Sequence, residues 1–298
     1  MNKLNFAKGY LFAILSAVLY GLMPLMATFI YAEGVNAQTL VVLRNLLPLP
    51  VLAVLALKKQ KDLKIPLKAL PSFLLIGLVG MCITPVLLLG SYNYIDSSAA
   101  TVIHFIYPAF VVVGGVIFLK EKASKSGILS ILLCMAGIAL FYSPTKPLNL
   151  KGAAVALASG ITCAVYVLLL ANFKYKSISA FTVSFYVCGF GSLFSLAYCL
   201  ATKSLVLPHT SLGWVLSGIF AFSITVGAVL LYQQSIFIIG GARASILSTL
   251  EPITSLVVGV FILKEQPTAL MLCGSVLVIS ASLVIAINDM TAQRKLNE

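Results

Sequence analysis

Apolar runs of about 20 residues recur along the whole sequence, and as helices each is long enough to cross the roughly 30 Å hydrocarbon layer of a bilayer. Of 298 residues, 60% are hydrophobic and 9% charged, whereas a soluble domain carries roughly a quarter charged residues. Water is not the main solvent for such a chain. The fold class this predicts is an all-α integral membrane protein, with no soluble domain left to place.

Cutting at charged, Pro-rich or Asn/Ser/Gly-rich punctuation predicts ten spans near 10–31, 37–57, 69–91, 98–119, 126–142, 152–171, 179–200, 212–234, 242–263 and 267–287. The weakest cut is Gly240–Gly241, where charge does not help. The first run follows a short basic start but is too long for a signal core and lacks an Ala-x-Ala cleavage pattern, so it reads as a helix.

The formal charge of +12 would suggest nucleic acid in a soluble protein, but the lysines sit in short loops between apolar runs. Counted on alternate sides of the ten spans, fifteen Lys and Arg fall on one side, from Lys3 and Lys8 to Arg294 and Lys295. Four fall on the other (Lys146, Lys151, Lys203 and Lys264). By the positive-inside bias both termini are expected in the cytoplasm, and nucleic acid is not an expected partner. The six cysteines lie within apolar runs and read as small buried residues, with neither a disulfide framework nor a metal cage in their spacing.

The two halves repeat each other. Ala100 to Glu121 overlays Ala244 to Glu265 with eight identities in 22 positions, among them Pro108 with Pro252, Gly115 with Gly259, and Leu119-Lys120-Glu121 with Leu263-Lys264-Glu265. Lys8-Gly9, Ala13 and Ser16 likewise pair with Lys151-Gly152, Ala156 and Ser159. This divides the chain into a first five-helix repeat at 1–142, a connecting loop at 143–151 and a second repeat with a short tail at 152–298. An odd number of helices per repeat predicts that the second copy is inverted, a hallmark of secondary transporters.

The five-plus-five layout, with Leu250-Glu251-Pro252 and Leu263-Lys264-Glu265 in the ninth span and Tyr107-Pro108 and Leu119-Lys120-Glu121 in the fourth, resembles the EamA-type branch of the drug/metabolite transporter superfamily. The resemblance covers essentially the whole chain. It implies a transporter of ten helices with a central cavity lined by spans 1, 3, 4, 6, 8 and 9, often an exporter of amino acids or related metabolites. The first repeat departs by carrying Tyr107 where the second has Glu251, so no role of that Glu transfers to the fourth span.

In the ninth span Ser245, Ser248, Pro252, Ser255 and Gly259 share one helix face, and Thr101, His104, Pro108, Val111 and Gly115 form the same stripe in the fourth. Small and polar residues on a membrane helix also serve close packing, which is an equal alternative for each serine. A mid-membrane proline frees a backbone carbonyl, which is tolerated where protein or a watery cavity re-satisfies it, so two prolines at equivalent positions point to a central site. Arg44, His104 and Glu251 lie well inside spans, and each needs a partner or a water-filled pocket. Glu251 reads as functional, His104 as either a satisfied imidazole or a substrate contact, and Arg44 as structural, snorkelling or bonding loop carbonyls. On helices that the resemblance assigns to the cavity, Ser16, Tyr20, Ser159, Tyr166, Tyr232 and Gln233 complete the candidate lining. Tyr10, Tyr31 and Trp214 read as interface anchors, and the two Lys-Glu pairs as helix-end features.

No His-Glu cluster, Cys ligand spacing, nucleotide loop or serine elbow is visible, so neither an enzyme, a metal site nor a cofactor is expected. The expected partners are the bilayer and a small-molecule substrate, with a homodimer compatible. The functional expectation is a multi-pass carrier of a small polar metabolite in the cytoplasmic membrane. A channel or uniporter-like facilitator, or a non-transporting scaffold, is the alternative.

Overall fold

The structure, a computed structural model, describes residues 3–60, 63–91, 93–95, 97–120, 124–140, 149–175, 177–262 and 268–295. Among the described residues there is no strand, and helices follow one another from Lys3 to Lys295. Seven are long and apolar enough to cross a membrane: Phe6–Ala32, Ala37–Gln60, Leu67–Ser91, Ala100–Phe118, Leu150–Ala171, Ala180–Ala201 and Ser211–Ile239. The fifth and tenth expected spans supply shorter apolar helices, Lys125–Ala139 and Ala269–Val284. The ninth is interrupted, with Gly241–Ser248 followed by Glu251–Phe261. The loop over 143–148, Lys61, Glu121, and the run Leu263-Lys264-Glu265 lie outside the described residues. Lys120 is described, and its left-handed φ of 54° closes the fourth span, as a helix-end residue does.

The polar punctuation between apolar runs acts locally as helix caps. Asn36, Ser124, Asn149, Ser179 and Thr210 sit in extended backbone and each accepts a hydrogen bond from an N–H in the first turn that follows. Such a cap satisfies a donor that the helix itself cannot, and removing one costs about 1 kcal/mol.

Several spans are not single rods. Pro24 starts the second half of the first span (Met23–Ala32), and the second span breaks into Ala37–Leu46 and Leu49–Gln60 at Leu47-Pro48. The fourth span divides at Phe105-Ile106 and the ninth at Thr249-Leu250, each one step ahead of its proline pair. Proline lacks the N–H that would bond four residues back, so each break is dictated by sequence. The third and eighth spans carry a different irregularity, π-helical segments at Gly77–Ile83 and Phe222–Val229, in corresponding places of the two halves. There the N–H of Thr84 reaches back to the Val79 carbonyl and that of Leu230 to the Thr225 carbonyl. π-Bulges cluster at functional sites because they rotate the side chains beyond them.

Helices cannot associate in lipid by the hydrophobic effect alone, so close approach at small residues has to hold them together. A Cβ at Gly137 would stand 2.8 Å from the Gly274 carbonyl oxygen, and Ser130 donates to the Ala281 carbonyl at 3.0 Å, which packs the fifth span on the tenth. A Cβ at Gly80 would stand 2.0 Å from the Tyr166 ring, so that glycine seats the ring against the third span. Large apolar side chains such as Phe118 and Phe261 stay exposed on the outer surface, where lipid tails would cover them.

Candidate functional site

The site is built around the two proline breaks. Ile106 and Leu250, the residues before each second half, have the same backbone angles, φ −70° and ψ −14°. Their N–H groups make matching three-residue bonds, Ile106 to Ile103 at 3.3 Å and Leu250 to Leu247 at 3.2 Å. Neighbouring glycines fit against the disturbed backbone. A Cβ at Gly160 would lie 2.8 Å from the His104 carbonyl oxygen, the acceptor that Pro108 leaves without its helical donor, and one at Gly21 would lie 2.8 Å from that of Glu251. Ser255 also donates to the Gly21 carbonyl at 2.8 Å. The breaks are thereby packed into the sixth and first spans.

Between them lies a cavity of about 640 Å³. Its lining includes Tyr20, Thr101, His104, Tyr166, Tyr232, Ser248, Glu251 and Pro252, all candidates from the sequence. Arg44, Thr84, Tyr107, Cys163 and Ser255 also line it. Towards one end it is bordered by Thr28, Tyr31, Leu88 and Leu89, close to the ends of their helices, so its mouth faces the turns at 33–36 and 93–95.

The other end is closed by hydrogen bonds between spans. Ser248 Oγ gives its proton to the Ser245 carbonyl (2.7 Å), so Tyr107 must donate to Ser248 Oγ, joining spans four and nine. The Tyr232 hydroxyl stands 3.4 Å from that of Tyr107 and draws in span eight. Gln233 Nε2 donates to the Tyr166 hydroxyl at 3.1 Å while its Oε1 accepts from Ser184 at 2.5 Å. Deeper still, the Arg243 guanidinium covers the Phe6 ring at 5.7 Å.

Five candidates lie outside the lining of this cavity. Ser16 donates to the Ala228 carbonyl at 2.8 Å and Ser245 to the Ala242 carbonyl at 2.9 Å. Gln233 is fully buried in the network just described, and Pro108 is buried behind Tyr107. Ser159 donates to the Ala156 carbonyl at 2.6 Å and lies 2.8 Å from His104 Nδ1. A hydroxyl has one proton, so His104 carries its hydrogen on Nδ1 and keeps a free lone pair on Nε2. His104 is therefore both a satisfied imidazole and a cavity-lining group.

Two further readings change. Tyr31 lines the mouth of the cavity, although its place near a span end marks it as an interface anchor. Among the described residues no hydrogen bond joins Arg44 to a loop carbonyl: it is buried, lines the cavity, and its Nε has no partner there. Among the described residues no ion pair or hydrogen bond joins it to Glu251, although Tyr20 is close enough to interact electrostatically with both. Thr84 and Cys163 are among the lining residues that sequence reasoning missed. Thr84 donates to the Val79 carbonyl at 2.8 Å within the π-segment and meets Thr162 at 3.0 Å, and nothing in the local pattern announces it.

Comparison with known proteins bears on this arrangement. Residues 7–143 and again 150–287 match the model of the EamA-like transporter family. An "uncharacterized inner membrane transporter", YicL, of Salmonella typhimurium is 25% identical over 95% of this chain and 96% of its own length. An uncharacterized transporter of Clostridium kluyveri is 23% identical over 93% and 92%. One from Haemophilus influenzae is 29% identical over 45% of this chain, with the match spanning 44% of that relative. A solved crystal structure superposes with a TM-score of 0.76 over 98% of this chain and 99% of its own, at 15% identity, a likeness of fold alone.

Proposed function

The chain belongs to the EamA-like transporter family, and from that premise we propose that it carries a small polar metabolite, an amino acid or related compound, across the cytoplasmic membrane by alternating access. It is a multi-pass membrane protein, and its curated relatives are named as transporters. In this reading ten crossings form two inverted repeats with both termini in the cytoplasm. The twofold family match and the paired irregularities in spans three and eight and in spans four and nine support it. With that orientation the cavity mouth faces outward and the Ser248–Tyr107–Tyr232 contacts close the cytoplasmic side. Net export then requires those contacts to open while the mouth closes.

The observation that carries this reading is a cavity of about 640 Å³, wide enough for a metabolite, bounded by two equivalent broken helices and bordered at one end by polar contacts between spans four, eight and nine. Broken helices that line a midplane site are the usual architecture of a carrier. Glu251 is the coupling candidate. If a cationic or zwitterionic cargo needs its ionised form, proton and cargo compete for one site, and inward proton flow drives the cargo out.

The test is flux in proteoliposomes of purified protein with a labelled amino-acid mixture. A carrier gives saturable uptake that is accelerated by unlabelled cargo on the far side, and Thr101→Trp, which fills the cavity, lowers it by about tenfold or more while the protein stays folded. Linear, non-saturating flux would instead identify a pore, and no flux with any cargo a scaffold.

A further inference from the structure

Arg44 is a permanent cation on the cavity lining, and among the described residues no carboxylate pairs with its charge. It is 7% exposed, and its Nε has no hydrogen-bond partner. Its own carbonyl is held by Thr225 Oγ1 at 2.5 Å, so the backbone that presents the side chain is tied to the eighth span while the guanidinium is left to the cavity. Glu251 shares that cavity without pairing with it. An arginine cannot shed its proton and a buried charge needs a partner or water, so this geometry keeps a positive group poised in a low-dielectric space.

Resting on the reading of the cavity as the transport site, we propose that Arg44 is the anion-docking residue and that the cargo presents a carboxylate to it. The planar guanidinium fork matches two carboxylate oxygens in parallel, and such charge-assisted pairs are the strong class of hydrogen bond. A single arginine in a cavity that also holds an acidic residue suits a group of one negative charge. A phosphate of about two charges would meet the Glu251 carboxylate without a second cation to offset it. Arg44 thereby selects cargoes by an acid group, and an otherwise identical molecule whose acid is capped as an amide loses the fork.

Cys163 supplies the readout, because it is a half-buried thiol on the same lining. Cys273, the exposed cysteine, is replaced by Ser to silence it, and the other four are buried. In proteoliposomes, Cys163 is modified with a sulfonatoethyl methanethiosulfonate reagent in the presence of a mixture of free amino acids or of the same mixture as C-terminal amides. The expected result is that the acids protect the thiol at about tenfold lower concentration than the amides, as one charge-assisted pair implies. The gap closes in Arg44→Gln and partly returns in Arg44→Lys. Equal protection by acids and amides, protection by neither, or a gap that persists in Arg44→Gln would overturn the assignment. The transport reading is judged separately: it fails if modified Cys163 leaves flux of the amino-acid mixture intact, and stands if flux is blocked whatever the amides do. A thiol the reagent never reaches would overturn both.

Discussion

The break in the fourth span and the break in the ninth have the same backbone and different chemistry. Each turns through φ −70° and ψ −14° ahead of a proline. At one, the side chains are His104 and Tyr107, tied respectively to Ser159 and to Ser248. At the other they are Ser248, consumed by those bonds, and Glu251, which lines the cavity with no bond to Arg44. The shared proline thus makes the break, while the residue before it differs between the two. The phenol makes a contact between the halves, and in the proposed reading the carboxylate stays available to a cargo or a proton.

The largest expected effect probes what the breaks have in common. Gly160→Leu drives a side chain into the His104 carbonyl, where even a Cβ would stand at 2.8 Å. Overpacking of this kind costs about 1–3 kcal/mol or more, so the variant should lose its thermal transition or its monodisperse peak in detergent. Gly218→Ala, with nothing within 4 Å of the added Cβ, should match or slightly exceed the parent. Equal behaviour of the two would mean that the sixth span does not brace the break.

A smaller effect separates the breaks. Tyr107→Phe removes the proton donated to Ser248 and leaves the ring in place. Losing one buried hydrogen bond of about 1 kcal/mol shifts the balance between the two cavity orientations by about fivefold, read as faster reaction of a cytoplasmic-side thiol probe with a cysteine placed at the buried Ala244. No change in that rate would show that Tyr107 is packing and not part of a closure. Smallest is Ser159→Ala, which frees the His104 ring at a cost of about 1 kcal/mol and should alter apparent affinity by no more than a few-fold. A larger loss would make the orientation of His104 a specificity determinant.

Much of the framework was legible in the chain itself. The spans, the caps at Asn36, Ser124, Asn149, Ser179 and Thr210, and the proline breaks all follow from local chemistry. The π-segments did not, since Gly77–Ile83 and Phe222–Val229 contain no proline or charge to mark a change of winding. The candidate site was half legible. A helical stripe says which residues share a face, but Ser16 and Ser245 spend their hydroxyls on backbone carbonyls at 2.8 and 2.9 Å, which spacing cannot reveal. Nor can spacing reveal that the Arg44 backbone carbonyl is held by Thr225, 181 residues away.

The proposed coupling of transport to protons through Glu251, and not through its counterpart Tyr107, is tested most directly by pH-driven efflux of the labelled amino-acid mixture from proteoliposomes. Gln keeps the shape and most hydrogen bonds of Glu but cannot ionise. Glu251→Gln is predicted to fold normally and to lose the acceleration given by a pH gradient, while exchange of cargo at equal pH survives. Tyr107→Phe is predicted to keep the acceleration, with only its absolute rate changed. Glu251→Gln transporting with unchanged rate and pH dependence would contradict the account and make a proton-independent uniporter the better description.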